Sequence, residues 1–381
     1  MKAIVWPTAA LLLVTVLTAC GGATPQAPVS SAASAGPASA GTSGPAASGS
    51  AAAFQKAITK LASPVSLRIG INPTINTLPV LAPADDGTLA KLGFNVSITP
   101  NNDVNQIMVG VAGGTLDAGS ILIGLAALNA LNRGSPFKMV ASSGANAPAC
   151  TSAGIPKGCG PNQLPLLIRQ DLWNSGKVKS VADLKGMKIG LPGPTAQDYN
   201  VAVALQPGGL KPSDVDIISL AGPAVLAAFQ NKALDGAFLG YPLVNEAINQ
   251  GLARILTDTF SPNQTNTVII FNSDYLAQHP DAVATFLEVD LQEVRKMAAG
   301  AYKQDDKALA ILEKYTKVTP AVTRQAPAAY WAPDGRINIP SIAVQQTYYL
   351  ANKKLDYTQP LDLNKFIDYG PLDTASKYLA S

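Results

Sequence analysis

The sequence predicts an α/β fold of two lobes, each a mostly parallel sheet flanked by helices, and three observations point to it. Short apolar runs alternate with helical patterns from residue 65 onward, as in strands joined by crossover helices. One pattern occurs twice, Gly113-Gly114-Thr115-Leu116-Asp117-Ala118-Gly119 and Lys232-Ala233-Leu234-Asp235-Gly236-Ala237: a helix ends, a Leu-Asp-small strand follows, and the chain turns into another helix. The chain is 47% hydrophobic, and the roughly 320 residues after a biased N-terminal stretch suffice for two cores.

The first half opens with an alternating strand at 65–70, a loop at 72–77 and a helix starting near Pro79, where proline is tolerated in the first turn. A strand follows at 95–98, then an apolar-periodic helix at 105–112 closed by Gly113-Gly114, the Leu116-Asp117 strand and its turn, a helix at 123–132 and a strand at 138–141. In the second half, 188–191 is an apolar run stopped by Pro192-Gly193-Pro194, and 195–205 continues as a helix. Thr195 with Asp198 three residues on resembles a capping box. Strand, tight turn and helix start together aim backbone N–H groups at the carboxyl end of a sheet, where ligands bind in open α/β folds.

The N-terminus carries an address. Met1-Lys2 is a basic start, 9–18 is apolar but too short to span a bilayer, and Leu17-Thr18-Ala19-Cys20 matches the lipobox of bacterial lipoproteins. Residues 1–19 therefore read as a signal peptide and Cys20 as the lipidated first residue of the mature chain. Residues 21–55 hold no charged residue and little besides Ala, Gly, Ser, Pro and Thr, which cannot bury enough apolar surface to fold. The stretch 20–62 reads as a tether, its 35 or so uncharged residues spanning roughly 30–35 Å. The remaining cysteines, Cys150 and Cys159, form an even pair in a Gly/Pro-rich loop, and in an oxidising compartment they are expected to bond to each other.

With 28 basic against 25 acidic residues, and no basic stripe interleaved with aromatics, nothing points to nucleic acid. There is no G-x-S-x-G, H-E-x-x-H or P-loop motif. No cluster of metal ligands and no cofactor motif stands out.

Residues 181–251 carry a resemblance. Asp183-Leu184-Lys185-Gly186, the apolar strand 187–191, Gly193-Pro194-Thr195, Leu234-Asp235-Gly236-Ala237, Pro242 and Gly251 follow in order. This is similar to the nitrate/sulfonate/taurine-type substrate-binding proteins of bacterial ABC importers. The resemblance covers roughly 65–300 and implies a type II periplasmic-binding-protein fold, with 63–164 in lobe one, 165–268 in lobe two and 269–381 returning to lobe one. Apolar runs at 165–168 and 267–271 would make the crossings. It further implies a monomeric, lipid-anchored receptor on the extracytoplasmic face of the cell membrane, delivering a small solute to ABC permease subunits, and not an enzyme.

Matched to that topology, the cleft is expected to be lined by Asn72, Thr74, Asn76 and Thr77 after the first strand, by Gly119, Ser120 and Ile121 at the Leu-Asp turn, and by Ser142, Ser143 and Asn146 after the strand at 138–141. Pro194, Thr195, Gln197 and Tyr199 would face Tyr241 and Pro242 in lobe two. Thr195 and Asn76 read equally as helix caps, Asn72 and Asn146 as turn residues, and Tyr199 as core; Tyr241 could also be core, but Gly240 before it and Pro242 after it place it on a loop at a strand's end, which favours the cleft. Tyr330-Trp331 reads as core. These loops hold no Lys or Arg, so the solute is left open between a sulfonate, a nitrate-like anion, an aromatic acid and a neutral heteroaromatic of the thiamine-precursor kind. Two other functions also stay open: an enzyme of the same fold, for which the single histidine, His279, is poorly placed, and a sensor without transport.

Overall fold

The computed structural model describes residues 58, 60–148, 160–191, 198–220 and 222–380, all within one compact unit, Phe54–Ser381. The readings placed on 1–57 (signal peptide, Cys20, tether), on Cys150 and Cys159, and on Pro194, Thr195 and Gln197 lie outside the described residues.

Among the described residues, ten strands form two sheets: β1 (Val65–Ile71), β2 (Phe94–Pro100), β3 (Ala118–Leu122), β4 (Phe137–Ala145), β5 (Leu166–Arg169), β6 (Lys188–Leu191), β7 (Asp216–Ser219), β8 (Gly236–Phe238), β9 (Ala253–Thr257) and β10 (Thr265–Asn272). The first sheet runs in the order β2-β1-β3-β10-β4 and the second β7-β6-β8-β5-β9. In each, three neighbouring strands are parallel, and the fourth, β10 or β5, runs antiparallel to both of its neighbours. The two apolar runs read as crossings are thus these antiparallel inner strands, while the chain passes from sheet to sheet through the segments before them.

The repeated Leu-Asp pattern has one structural job in both lobes. Asp117 accepts hydrogen bonds from the Arg68 backbone N–H at 2.7 Å and from its side chain, and the Asp117 N–H returns to the Arg68 carbonyl. Asp235 likewise accepts from the Lys188 N–H at 3.0 Å and donates its own N–H to the Lys188 carbonyl. The preceding leucine packs on a glycine two residues further along the partner strand. A Cβ on Gly70 would lie 2.7 Å from Leu116, and one on Gly190 would lie 2.7 Å from Leu234. Neither glycine can become alanine without displacing that leucine.

Each sheet is covered on both faces. On the first, Leu67, Ile69 and Ile71 point to one side and pack with helices Leu78–Asp85, Pro280–Met297 and Gly370–Ala380. The other side meets helices Val104–Ala112, Leu125–Asn132 and Ile339–Ala351. The helix expected at 123–132 begins two residues later, because β3 extends through Leu122 and the turn falls at Ile123-Gly124. In the second lobe, Asp183 of the Asp-Leu-Lys-Gly motif closes a capping box with Ser180, Leu184 is fully buried, and Gly186 takes a left-handed φ of +74°. That motif shapes a turn, and none of its residues lines either cavity described below. Among the described residues, no helix is long and apolar enough to cross a membrane.

Candidate functional site

A cavity of about 730 Å³ opens at one edge of both sheets. It lies at the carboxyl ends of the parallel strands, the position that strand-helix connectivity reserves for ligands. After β1 come Thr74, Ile75 and Asn76; after β3 come Leu122 to Ala126; after β4 come Asn146 and Ala147. Gln264 and Asn266 stand at the start of β10 on the same edge, Leu164 and Phe260 belong to the second lobe's core, and Asn200 comes from its helix Asp198–Leu205.

Local packing fixes these groups. The Asn76 carbonyl accepts from the Trp331 indole N–H at 3.0 Å, and its side chain lies over Gly144, where a Cβ would stand 2.6 Å from Asn76 Cγ. Asn146 is held three ways: its N–H donates to the Gln264 carbonyl at 2.8 Å, its amide donates to the Ser261 carbonyl at 3.0 Å, and its oxygen accepts from Asn266 at 2.7 Å. The two inter-lobe segments are tied together by Asn162, whose side chain donates to the Phe260 carbonyl at 2.7 Å.

No Asp, Glu, Lys, Arg or His occurs among the described lining residues; amides, aliphatic groups, Phe260 and Tyr330 make the wall. Burial raises the pKa of the Tyr330 phenol, and the Asp334 charge adds to it. Two features point at a ligand. Helix Leu125–Asn132 starts at the wall with Gly124 as its N-cap and no side-chain cap, so its first N–H groups can receive an anionic or carbonyl oxygen. Gln345, only 7% exposed, keeps its amide oxygen without a partner, which calls for a donor. The site can therefore hold an acceptor at one place and a donor at another, with apolar surface between. Its described wall offers no general base and no thiol.

Of the residues expected at the cleft, Thr74, Asn76 and Asn146 line this cavity, and Tyr241 lines a smaller one beside it. Asn72 instead reaches towards the Asn101 and Asn102 carbonyls, and Thr77 donates its hydroxyl to the Thr74 carbonyl at 2.8 Å. Gly119, Ser120 and Ile121 are strand β3 and not a turn: Gly119 lies against Ile107, Ile121 is core, and the Ser120 hydroxyl lies 2.9 Å from that of Ser143, both buried. Ser142 is buried within β4. Tyr199 packs edge-on against Tyr348 with ring centroids 5.6 Å apart, joining the second lobe's helix to the first lobe's core. Burial raises the pKa of its phenol. Tyr241 precedes Pro242 through a cis peptide bond, and Pro242 caps helix Leu243–Asn249.

The sequence reading missed the Gly124 helix start, Asn162, Gln163, Asn200 and Gln345. Ile123-Gly124 ahead of an apolar helical run was the one available signal. Gln345 lies in the C-terminal part, where local pattern says nothing about which helix folds over the site.

Two five-stranded sheets of one topology, with a shared cavity at their carboxyl edge, define a two-lobed binding-protein fold. The periplasmic aliphatic sulphonate binding protein SsuA from Escherichia coli shares it, with a TM-score of 0.61 and 21% identity over 81% of this chain and 99% of that one. The chain belongs to the NMT1-like family, which matches residues 61–311. It is 33% identical over 117 residues to the taurine-binding periplasmic protein of Escherichia coli (strain K12), covering 29% of this chain and 36% of that protein. To the nitrate/nitrite binding protein NrtA of Nostoc sp. (strain PCC 7120 / SAG 25.82 / UTEX 2576) it is 23% identical over 235 residues, 59% of this chain and 52% of that one. The matched segments thus span about a third to a half of these curated relatives.

Proposed function

We propose that this chain is an extracytoplasmic solute-binding protein that captures a small organic solute between its lobes and delivers it to an ABC importer. The observation that carries this reading is the cavity at the carboxyl edge of both sheets, walled by each lobe and free of charged side chains among the described residues. A receptor needs grip without reaction, and amides, an uncapped helix start and aromatic faces supply it. The volume of about 730 Å³ suits an organic solute better than a bare inorganic anion. A sulfonate or an aromatic acid would set its oxygens at the Gly124 helix start, and a neutral heteroaromatic would use the amides. Binding loops drawn from two lobes favour the closed state by their differential contacts alone.

Small-angle scattering of the protein with and without aliphatic sulfonates and aromatic carboxylates tests this, alongside mass spectrometry of small molecules released from freshly purified protein. A smaller radius of gyration with a bound compound is expected. An unchanged radius at saturation would remove the closing step.

The chain would be anchored by lipid at Cys20, with 21–55 as tether and a Cys150–Cys159 bond shaping the loop before the second lobe. In the Cys20→Ala variant the protein should leave the membrane fraction; retention after an alkaline wash would place the anchor elsewhere.

A further inference from the structure

A second cavity of about 190 Å³ adjoins the first and shares Thr74, Ile75 and Gln163 with it. Its far wall is built by the segment after residue 300: Tyr302, Leu312, Val318, Val322 and Pro327, with Tyr241 added from the second lobe. No charged side chain lines it among the described residues, and two of its lining hydroxyls are already engaged: Thr316 donates to the Leu312 carbonyl at 2.7 Å, and Tyr302 accepts from the Ala329 N–H at 3.0 Å. The neck between the cavities is polar and held in place. The Gln163 amide donates to the Pro327 and Ala328 carbonyls at 2.9 and 3.2 Å, fixing the strip that separates the chambers. Thr74, on both walls, keeps its hydroxyl buried without a partner.

We propose that the smaller cavity is a subsite that receives one uncharged ring or short hydrocarbon branch of the solute whose polar head occupies the larger cavity. This rests on reading the larger cavity as the solute site. The size is right, since an apolar cavity of about 150 Å³ takes up benzene. The chemistry is right as well: a polar head finds donors and an acceptor at Gly124 and Gln345, an apolar branch finds Leu312, Val318 and Val322, and the Thr74 hydroxyl waits at the junction for an atom linking the two. Because Tyr241 belongs to the other lobe, the subsite is completed only when both lobes stand together, so a solute with a branch gains more from closure than one without. The predicted preference is for a head-plus-branch molecule over the bare head.

The test uses full-length protein and matched probes that differ by one phenyl ring: ethanesulfonate against 2-phenylethanesulfonate, propionate against 3-phenylpropionate, and acetamide against 2-phenylacetamide, each titrated calorimetrically. For at least one pair the ring should tighten binding about tenfold or more, as burial of a ring in an apolar pocket does. In Val318→Phe or Val322→Phe, which fill the chamber, the ratio between pair members should fall to about one; melting curves of both variants report whether each is folded. Equal affinities within every pair in the native protein, or a ring preference that survives in a folded chamber-filling variant, would overturn the subsite while leaving the solute-binding reading in place. Binding by none of the six compounds would count against both.

Discussion

Asp290→Asn is expected to stabilise the protein above pH 7 and to remove most of the pH dependence of its stability between pH 4 and 7. Asp290 lies in the middle of helix Pro280–Met297, 2% exposed, and neither carboxylate oxygen has a hydrogen-bond partner. On the helix surface its neighbours three and four residues away are Phe286, Leu287, Glu293 and Val294. Burial pushes its pKa up from 3.8 to about 7, and the negative charge of Glu293 adds to the effect. The pKa of Glu293 is itself raised by burial.

The sign follows from proton binding. Between pH 4 and 7 the folded state keeps a proton that the unfolded chain has released, so folding stability is fully present at the acid end and falls as pH rises. Each pH unit in which one extra proton stays bound to the folded state changes stability by about 1.4 kcal/mol, so the loss across this window is roughly 2–4 kcal/mol. Asparagine has the same shape and no charge to bury, so the variant's denaturation midpoint should decline much less than that of the native protein, the remainder coming from Glu293. Urea titrations of both proteins at pH 4.5, 6 and 8 decide the matter; parallel slopes would show that Asp290 is not the group responsible.

Trp331→Ala should cost about 3–5 kcal/mol, the range for deleting a large buried aromatic. Trp331 is 4% exposed, meets Tyr302 edge-on at 5.6 Å between centroids, and donates to the Asn76 carbonyl. It therefore joins the C-terminal segment to the first binding loop. Trp331→Phe separates its two roles: most of the packing survives, while the carbonyl loses its donor at a cost of about 1 kcal/mol. If the indole positions Asn76, the Phe variant should bind its solute more weakly by more than its loss of stability would suggest. Unaltered melting and affinity in that variant would mean that packing is the whole of its role.

The reach and limits of the sequence can be seen residue by residue. The α/β class, both Leu-Asp strands and the order of elements through β4 were legible, because period and punctuation are local. The loop at Thr74 and Asn76 followed from the end of β1. A turn at Gly119–Ile121 falls too early, because a small-residue run looks like a turn until the parallel partner β1 and the antiparallel partner β10 show how far pairing continues. Trp331 was legible as core, but Gln345 and the hydrogen bond from Trp331 to the Asn76 carbonyl depend on contacts between residues far apart in the chain, for which a single sequence carries no pattern. Tyr199 looks like a cleft residue by position, yet its ring finds Tyr348 across the lobes.

The strand order has a consequence for the order of assembly. Every strand of the second sheet has been synthesised by residue 257, but the first sheet needs β10, Thr265–Asn272, between β3 and β4. A chain grown to that point therefore holds every described strand of the second sheet while the first still lacks its fourth, leaving the facing edges of β3 and β4 unpaired. Open edges of this kind are the sites where chains pair wrongly, and here β10, the last strand of the first sheet to be made, closes them.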